Sequence, residues 1–357
     1  MTGANGVLRQ TSGQDGAVSL PPLSDLIDSA RVVALPLTTR FRGIDVREVM
    51  LLHGPEGWTE FSPFVEYDDA ESATWLAAAI DFGWSPSPPP LRDRIGVNAT
   101  VPAVAAAEVA RVLALFPGCR TAKVKVAERG QVLADDVARV RAVREALGPE
   151  GRVRVDANGA WNVDEAERAL HALAEFDLEY AEQPCASVDE LAELRLRLAD
   201  WDIPIAADES VRKADDPVAV ARAGAADLLV IKAQPLGGIR RAQQIVAEAG
   251  LPVVVSSALE SSIGLSMGIA LAASLSRDGG PDLDCGLGTA ALLAADVTAQ
   301  PLLPVDGALP LGRVTPDPHL LDEFAAQPER HTWWLSRLER CYEILSAQPR
   351  PASDLVG

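Results

Sequence analysis

The chain runs to 357 residues, of which 48% are hydrophobic; that is ample for a barrel-sized core plus a smaller unit and short for three domains. With 32 Lys+Arg against 51 Asp+Glu the net charge is −19, which argues against nucleic acid and anionic membrane surfaces as partners. Cys119, Cys185, Cys285 and Cys341 show no CxxC spacing, no apolar run reaches the ~20 residues of a membrane span, and no secretory signal is apparent, so reduced thiols and a cytoplasmic setting are expected.

Residues 1–19, rich in Gly, Ser and Gln, read as a loose tail. Between 31 and 67, RVVALPLTT, VREVMLLHGP and GWTEFSPFVEY read as strands, because β-branched and apolar runs are broken by Gly and Pro turns. ESATWLAAAIDFGW predicts a helix, and SPSPPP at 85–90 a linker. From Ile95 the pattern alternates. IGVNAT, TAKVKVA, RVRVDAN, LEYAEQ, IPIAADE, ADLLVIKA and LPVVVSSA read as strands, each followed by a helical stretch, from PAVAAAEVARVLALF (102–116) after the first, through DPVAVARAG (216–224) after the fifth, to SIGLSMGIALAASLS after the last. LDCGLGT would add an eighth short strand. Such alternation specifies a parallel α/β sheet. Among the four histidines (His53, His171, His319, His331) no metal-like pair occurs, and His171, in a helical stretch, is expected to pack rather than ligate. Beyond about residue 300, Pro-rich text leads to a last helix around WWLSRLERCYEIL, expected to return to the N-terminal unit.

Asp156 in RVRVDANG, Glu182 in YAEQP and Asp208 in IPIAADES each end one of these strands, 26 residues apart, and Lys232 in LLVIKAQP follows 24 further on. One strand-plus-helix unit of an eight-unit barrel consumes about 25–30 residues, and such barrels keep their chemistry at the C-terminal rim. The expected fold is therefore α/β: a (β/α) TIM-type barrel over 93–305, with an α+β capping domain at 20–92 and a segment 306–357 packing back on it. A doubly wound dinucleotide fold is disfavoured, since no GxGxxG follows a strand.

Three carboxylates without His or Cys suit a hard, oxygen-loving cation such as Mg²⁺. Lys123 and Lys125 are two apart on a strand, so they share a face; beside three rim acids that face is the barrel interior. Asn158 lends an amide oxygen to the ion or closes the turn in DANG. Glu209 should point away from Asp208 and support it from behind. A divalent ion plus a lysine of depressed pKa suits removal of a proton beside a carboxylate, from a small-molecule substrate.

The order KxK, Asp, Glu, Asp, Lys resembles the muconate-lactonizing subgroup of the enolase superfamily. FRGIDVREV, VNATVPAV, GCRTAKVKVAE, YAEQPCA, PLGGI, PVVVSSALESSIG and CGLGT are similar to the o-succinylbenzoate synthase family of the actinobacterial type over nearly the whole chain. That resemblance implies a hydro-lyase of menaquinone (vitamin K2) biosynthesis, which dehydrates 2-succinyl-6-hydroxy-2,4-cyclohexadiene-1-carboxylate to 2-succinylbenzoate by a syn elimination. It implies Mg²⁺, with Mn²⁺ as substitute, on Asp156, Glu182 and Asp208. Lys125 would be the base and then the acid, Lys123 its tuning partner, and Lys232 a cation over the aromatising ring. Ser256, Ser257, Gly286 and Gly288 would line the succinyl side, and Arg42 with Gly43 would approach from the capping domain. The sequence does not settle the oligomeric state; a monomer is favoured. Alternatives are an N-acylamino acid racemase or dipeptide epimerase, for which Asp282 and Asp284 precede the usual acidic position, a non-catalytic binding protein, and a sugar-phosphate barrel enzyme using CGLGT as a phosphate loop.

Overall fold

A computed structural model of the chain describes residues 20–212, 216–276 and 283–347. After the short helix α1 (Leu23–Ser29), the apolar runs form an antiparallel meander of β1 (Arg31–Phe41), β2 (Ile44–Gly54) and β3 (Gly57–Phe61). Phe41 pairs with Ile44 across a two-residue loop, Arg42 and Gly43, in which both residues have positive φ (51° and 78°), as the tightest hairpins require. The third strand stops short of the expected Tyr67, because Pro63 has no N–H to give a ladder. Helix α2 (Asp69–Trp84) starts where the Asp68 side chain accepts the Glu71 N–H at 2.8 Å.

The alternating segment supplies β4 (Arg94–Gly96), β5 (Ala99–Val101), α3 (Val109–Leu113), β6 (Thr121–Lys125), α4 (Leu133–Leu147), β7 (Arg152–Asp156), α5 (Val163–Leu173), β8 (Leu178–Glu182) and α6 (Val188–Arg197). There follow β9 (Ile205–Ala207), α7 (Glu209–Arg212), α8 (Ala219–Arg222), β10 (Leu228–Ile231), α9 (Ile239–Ala249), β11 (Val253–Val255) and α10 (Ser262–Ser274). The chain closes with β12 (Ala308–Pro310), which pairs with β4, then α11 (Pro318–Glu323) and α12 (Pro328–Ala347).

Strands β5 to β11 make one parallel sheet in sequence order. The expected eighth strand at 283–289 is not a ladder. Cys285 and Gly286 make single bridges to Val97 and Ser256, and residues 288–292 turn into a 3-10 helix. Those bridges suffice to join the two edges of the sheet: Cys285 N–H reaches Gly96 O at 2.8 Å, and Gly286 N–H reaches Val255 O at 2.8 Å. Two further expectations are corrected. The helix expected at 102–116 shrinks to α3 and a preceding turn, held between Pro102 and Pro117, and the helix expected at 216–224 shrinks to α8.

Helices and strands enclose one apolar core between them. The barrel interior is divided: Tyr180, Ala206, Leu228, Val230 and Val254 form an apolar patch, while β6 and β7 send Lys123, Arg154 and Asp156 inward. Helix α12 packs on α2 and the meander. The buried Arg337 of α12 donates to the carbonyls of Phe64 and Tyr67 and to Ser72 Oγ, which sets the segment that overhangs the barrel mouth.

Candidate active site

Period-two alternation turns Lys123 and Lys125 of β6, Asp156 of β7 and Glu182 of β8 to the same interior face. Register then puts them side by side, Lys125 opposite Asp156 and Asp156 opposite Glu182. Asp208 follows β9 and Lys232 follows β10 at the same rim. In the sheet β7, β8 and β9 lie between β6 and β10, so Lys125 and Lys232 stand on opposite walls of one cleft, which both line.

Each acid at that rim meets a lysine. Lys123 Nζ donates to Asp156 Oδ2 at 2.9 Å and to Glu182 Oε1 at 2.8 Å. Lys125 Nζ donates to Asp156 Oδ2 at 2.5 Å and to Asn158 Oδ1 at 2.7 Å, and Lys232 Nζ donates to Asp208 Oδ1 at 2.5 Å. Burial opposes the charge on Asp156, but Lys123 and Lys125 outweigh it and hold the carboxyl well below its usual range. Asp208 is likewise brought to about 2, Lys232 and Arg212 overcoming burial. Glu182 goes the other way, pushed up to about 7 by burial and by Asp156 and Asp208. Burial lowers Lys125, helped by the neighbouring Lys123 charge and resisted by Asp156, whereas the acids around Lys123 raise it well above its ordinary value despite burial.

Asn158 meets Lys125 with its oxygen, and its own amide group donates to Glu209 Oε1 at 3.3 Å. Glu209 also takes Arg212. Ser256, Ser257, Gly286 and Arg42 all line the cleft. A Cβ on Gly286 would come within 2.5 Å of Ser256 Oγ, so a larger residue would displace that hydroxyl. A Cβ on Gly288 would meet Asn98 O at 3.0 Å and the Phe116 ring at 3.3 Å. Several lining groups were missed by sequence reasoning: Phe41, Phe64 and Tyr67 of the capping unit, and Thr100, Arg212 and Thr289 of the barrel. Arg212 donates to Asp208 at 3.1 Å and to Tyr67 Oη at 3.3 Å; its one sequence signal is its place four residues past Asp208 on a helix too short to notice.

Two alternatives lose ground here. Asp284 binds Thr121 Oγ1 and Arg152 at the opposite end of β6 and β7, so it offers no carboxylate to an amino group in the cleft; Asp282 lies outside the described residues. The N-terminus of α10, where a phosphate would sit in a barrel of that type, is filled: Glu60 accepts from the Ser261 and Gly264 N–H groups and Asp296 from Ser262. His171 stacks on Trp201 with ring centroids 4.0 Å apart, and all four cysteines are free thiols.

The acids do not yet close on one point. Among the described residues no three acidic, His or Cys side chains stand in ligating geometry, because the ammonium groups of Lys123, Lys125 and Lys232 take their oxygens. The donor set nevertheless fits a hard divalent cation. All three acids are buried on neighbouring strands, and Glu182 Oε2 is buried without any hydrogen-bond partner. Among the described residues no helix is long and apolar enough to cross a membrane.

A closed parallel barrel under an α+β cap, with carboxylates and lysines at its rim, defines an enzyme of the enolase superfamily. Residues 104–316 match the enolase C-terminal domain-like family and residues 32–83 the enolase N-terminal domain-like family. The muconate lactonizing enzyme from Pseudomonas putida shares the fold, with a TM-score of 0.65 at 20% identity over 83% of this chain and 98% of that one. An o-succinylbenzoate synthase from Mycobacterium tuberculosis (strain ATCC 25618 / H37Rv) is 56% identical over 91% of this chain and 97% of its own length. One from Mycobacterium leprae (strain TN) is 56% identical over 91% and 95%. The chain belongs to the o-succinylbenzoate synthase family.

Proposed function

We propose that the protein is a hydro-lyase that converts 2-succinyl-6-hydroxy-2,4-cyclohexadiene-1-carboxylate to 2-succinylbenzoate and water, as a cytoplasmic step of menaquinone formation. The observation that carries this is the placing of Lys125 and Lys232 on opposite walls of the acid-lined cleft, in a chain 56% identical to enzymes named for that product. Asp156, Glu182 and Asp208 would hold Mg²⁺, which supplies the positive charge that makes a proton beside a carboxylate acidic enough to leave. Lys125, lowered by burial and steered by Asn158, takes that proton. The ammonium so formed gives the same proton to the departing hydroxyl from the same face, so water leaves and Lys125 returns to its starting state. Lys123 stays charged between Asp156 and Glu182 and keeps Lys125 the weaker base of the pair. Lys232 stands across the ring as it becomes aromatic, where a cation is favoured. The division into a tail at 1–19, a cap at 20–92, a barrel at 93–305 and a returning segment at 306–357 is part of the same proposal, as is a monomer.

With purified protein and Mg²⁺, diene absorbance should fall as the aromatic product forms. A second reading, racemisation of N-acylamino acids, is favoured by one observation, the lysine on each wall. No loss of diene absorbance, together with racemisation of an N-succinyl amino acid, would replace the first reading by the second.

A further inference from the structure

The cleft wall at Ala258 and Leu259 is an awkward piece of chain. Leu259 has φ +64°, a left-handed conformation that a branched side chain does not hold by preference. Neither residue belongs to a strand or helix, and both line the cleft. What fixes them comes from the other unit of the molecule. Arg47 of β2, buried beneath the Phe64 ring at 4.2 Å, donates from Nε to Leu259 O at 3.1 Å and from Nη2 to both Ala258 O and Ser62 O. Two residues along, Glu60 of β3 accepts at Oε2 from the Ser261 N–H at 3.1 Å and the Gly264 N–H at 3.2 Å, while its Oε1 takes Ser62 Oγ at 2.5 Å. A Cβ on Gly264 would lie 2.8 Å from the Glu60 carboxyl carbon, so the helix start is cut away to admit that acid. The segment between is therefore gripped at both ends by side chains of the cap.

We propose that Arg47 and Glu60 are positioning residues for the reaction: from the capping sheet they hold residues 258–261 in the shape that lines the cleft, so that substrate binding depends on how the cap is docked. This rests on the dehydratase reading above. Neither residue touches the reacting atoms; each acts through the backbone of the segment it holds. Loss of either grip loosens a wall that binds ground state and transition state alike, which shows as weaker binding at unchanged turnover.

The test is steady-state kinetics of the full chain with Mg²⁺ and the cyclohexadiene substrate, alongside calorimetric binding of 2-succinylbenzoate and thermal unfolding. Arg47→Ala and Glu60→Ala should each raise KM and product Kd about tenfold with kcat within about threefold of the parent. Their combination should fall short of the product of the single effects, since both act on one segment. Glu60→Gln keeps an acceptor oxygen and should stay within about threefold of the parent. Should Arg47→Ala fail to fold, Arg47→Lys gives the same reading, because a single nitrogen cannot span the Leu259 and Ser62 carbonyls that the guanidinium reaches from Nε and Nη2. A parent that dehydrates the diene, with folded variants that unfold earlier but keep parental KM and product Kd, would overturn the proposal alone. A parent inactive on the diene would overturn the dehydratase reading, and this inference with it.

Discussion

Two groups of buried acids stand about the barrel mouth, and they have opposite fates. Asp156, Glu182 and Asp208 meet lysine ammonium groups on a cleft wall. Glu60, Glu260 and Asp296 meet fixed backbone N–H groups and serine hydroxyls around the start of α10. Burial alone does not separate them, since Glu182 and Glu60 are both pushed to about 7 by burial and a neighbouring acid. The partners do. A carboxylate held by peptide N–H groups is a joint, because those donors cannot leave without unwinding a helix. One held by flexible ammonium groups can exchange them for a metal ion or surrender them to a substrate.

The sharpest way to break this comparison is to remove one amine from the first group. Lys125→Ala should lower kcat by about 10³-fold or more while the unfolding midpoint barely moves, since Lys123 still holds Asp156. A loss of under tenfold in the diene assay would place the base elsewhere.

Next is the pH response of the joint. Burial, then the Glu260 charge, lifts Glu60 from 4.5 to about 7, so the folded protein keeps a proton that the unfolded chain releases earlier. The stability this gives is full below the unfolded value and is lost as pH rises through about 7. Glu60→Gln should remove that slope. Urea unfolding between pH 5 and 8 should show the parent losing up to about 3 kcal/mol more than the variant, and equal slopes would mean that Glu60 is ionised throughout.

Metal addition separates the two groups again. Mg²⁺ at a hundredfold excess over its Kd should stabilise EDTA-treated protein by about 2.7 kcal/mol, seen as a higher unfolding temperature. Asp156→Asn should abolish most of that gain and Asp296→Asn should leave it intact; the reverse pattern would exchange their roles. The smallest effect belongs to an acid of a third kind, the half-buried Glu190 in the capping box that Ser187 forms at the start of α6. Ser187→Ala should cost about 1 kcal/mol in unfolding free energy without touching kcat.

The rim residues were readable in the sequence because strand alternation is local. Lys123 and Lys125 two apart, and an acid closing each of three successive strands, announce one interior face whatever the rest of the chain does. The same local reading overran at 102–116 and 283–289, where prolines and glycines cut a helix and a strand short.

The order of strands and helices, the barrel class and the gathering of Asp156, Glu182, Asp208, Lys125 and Lys232 at one rim followed from the sequence by itself, since they need only periodicity and chain order. The grip of Arg47 and Glu60 on residues 258–261, the approach of Tyr67 and Arg212, and the pairing of each acid with its own amine belong to the tertiary structure. Those contacts join residues up to about two hundred positions apart, and no local pattern records a partner that arrives only when the cap docks on the barrel.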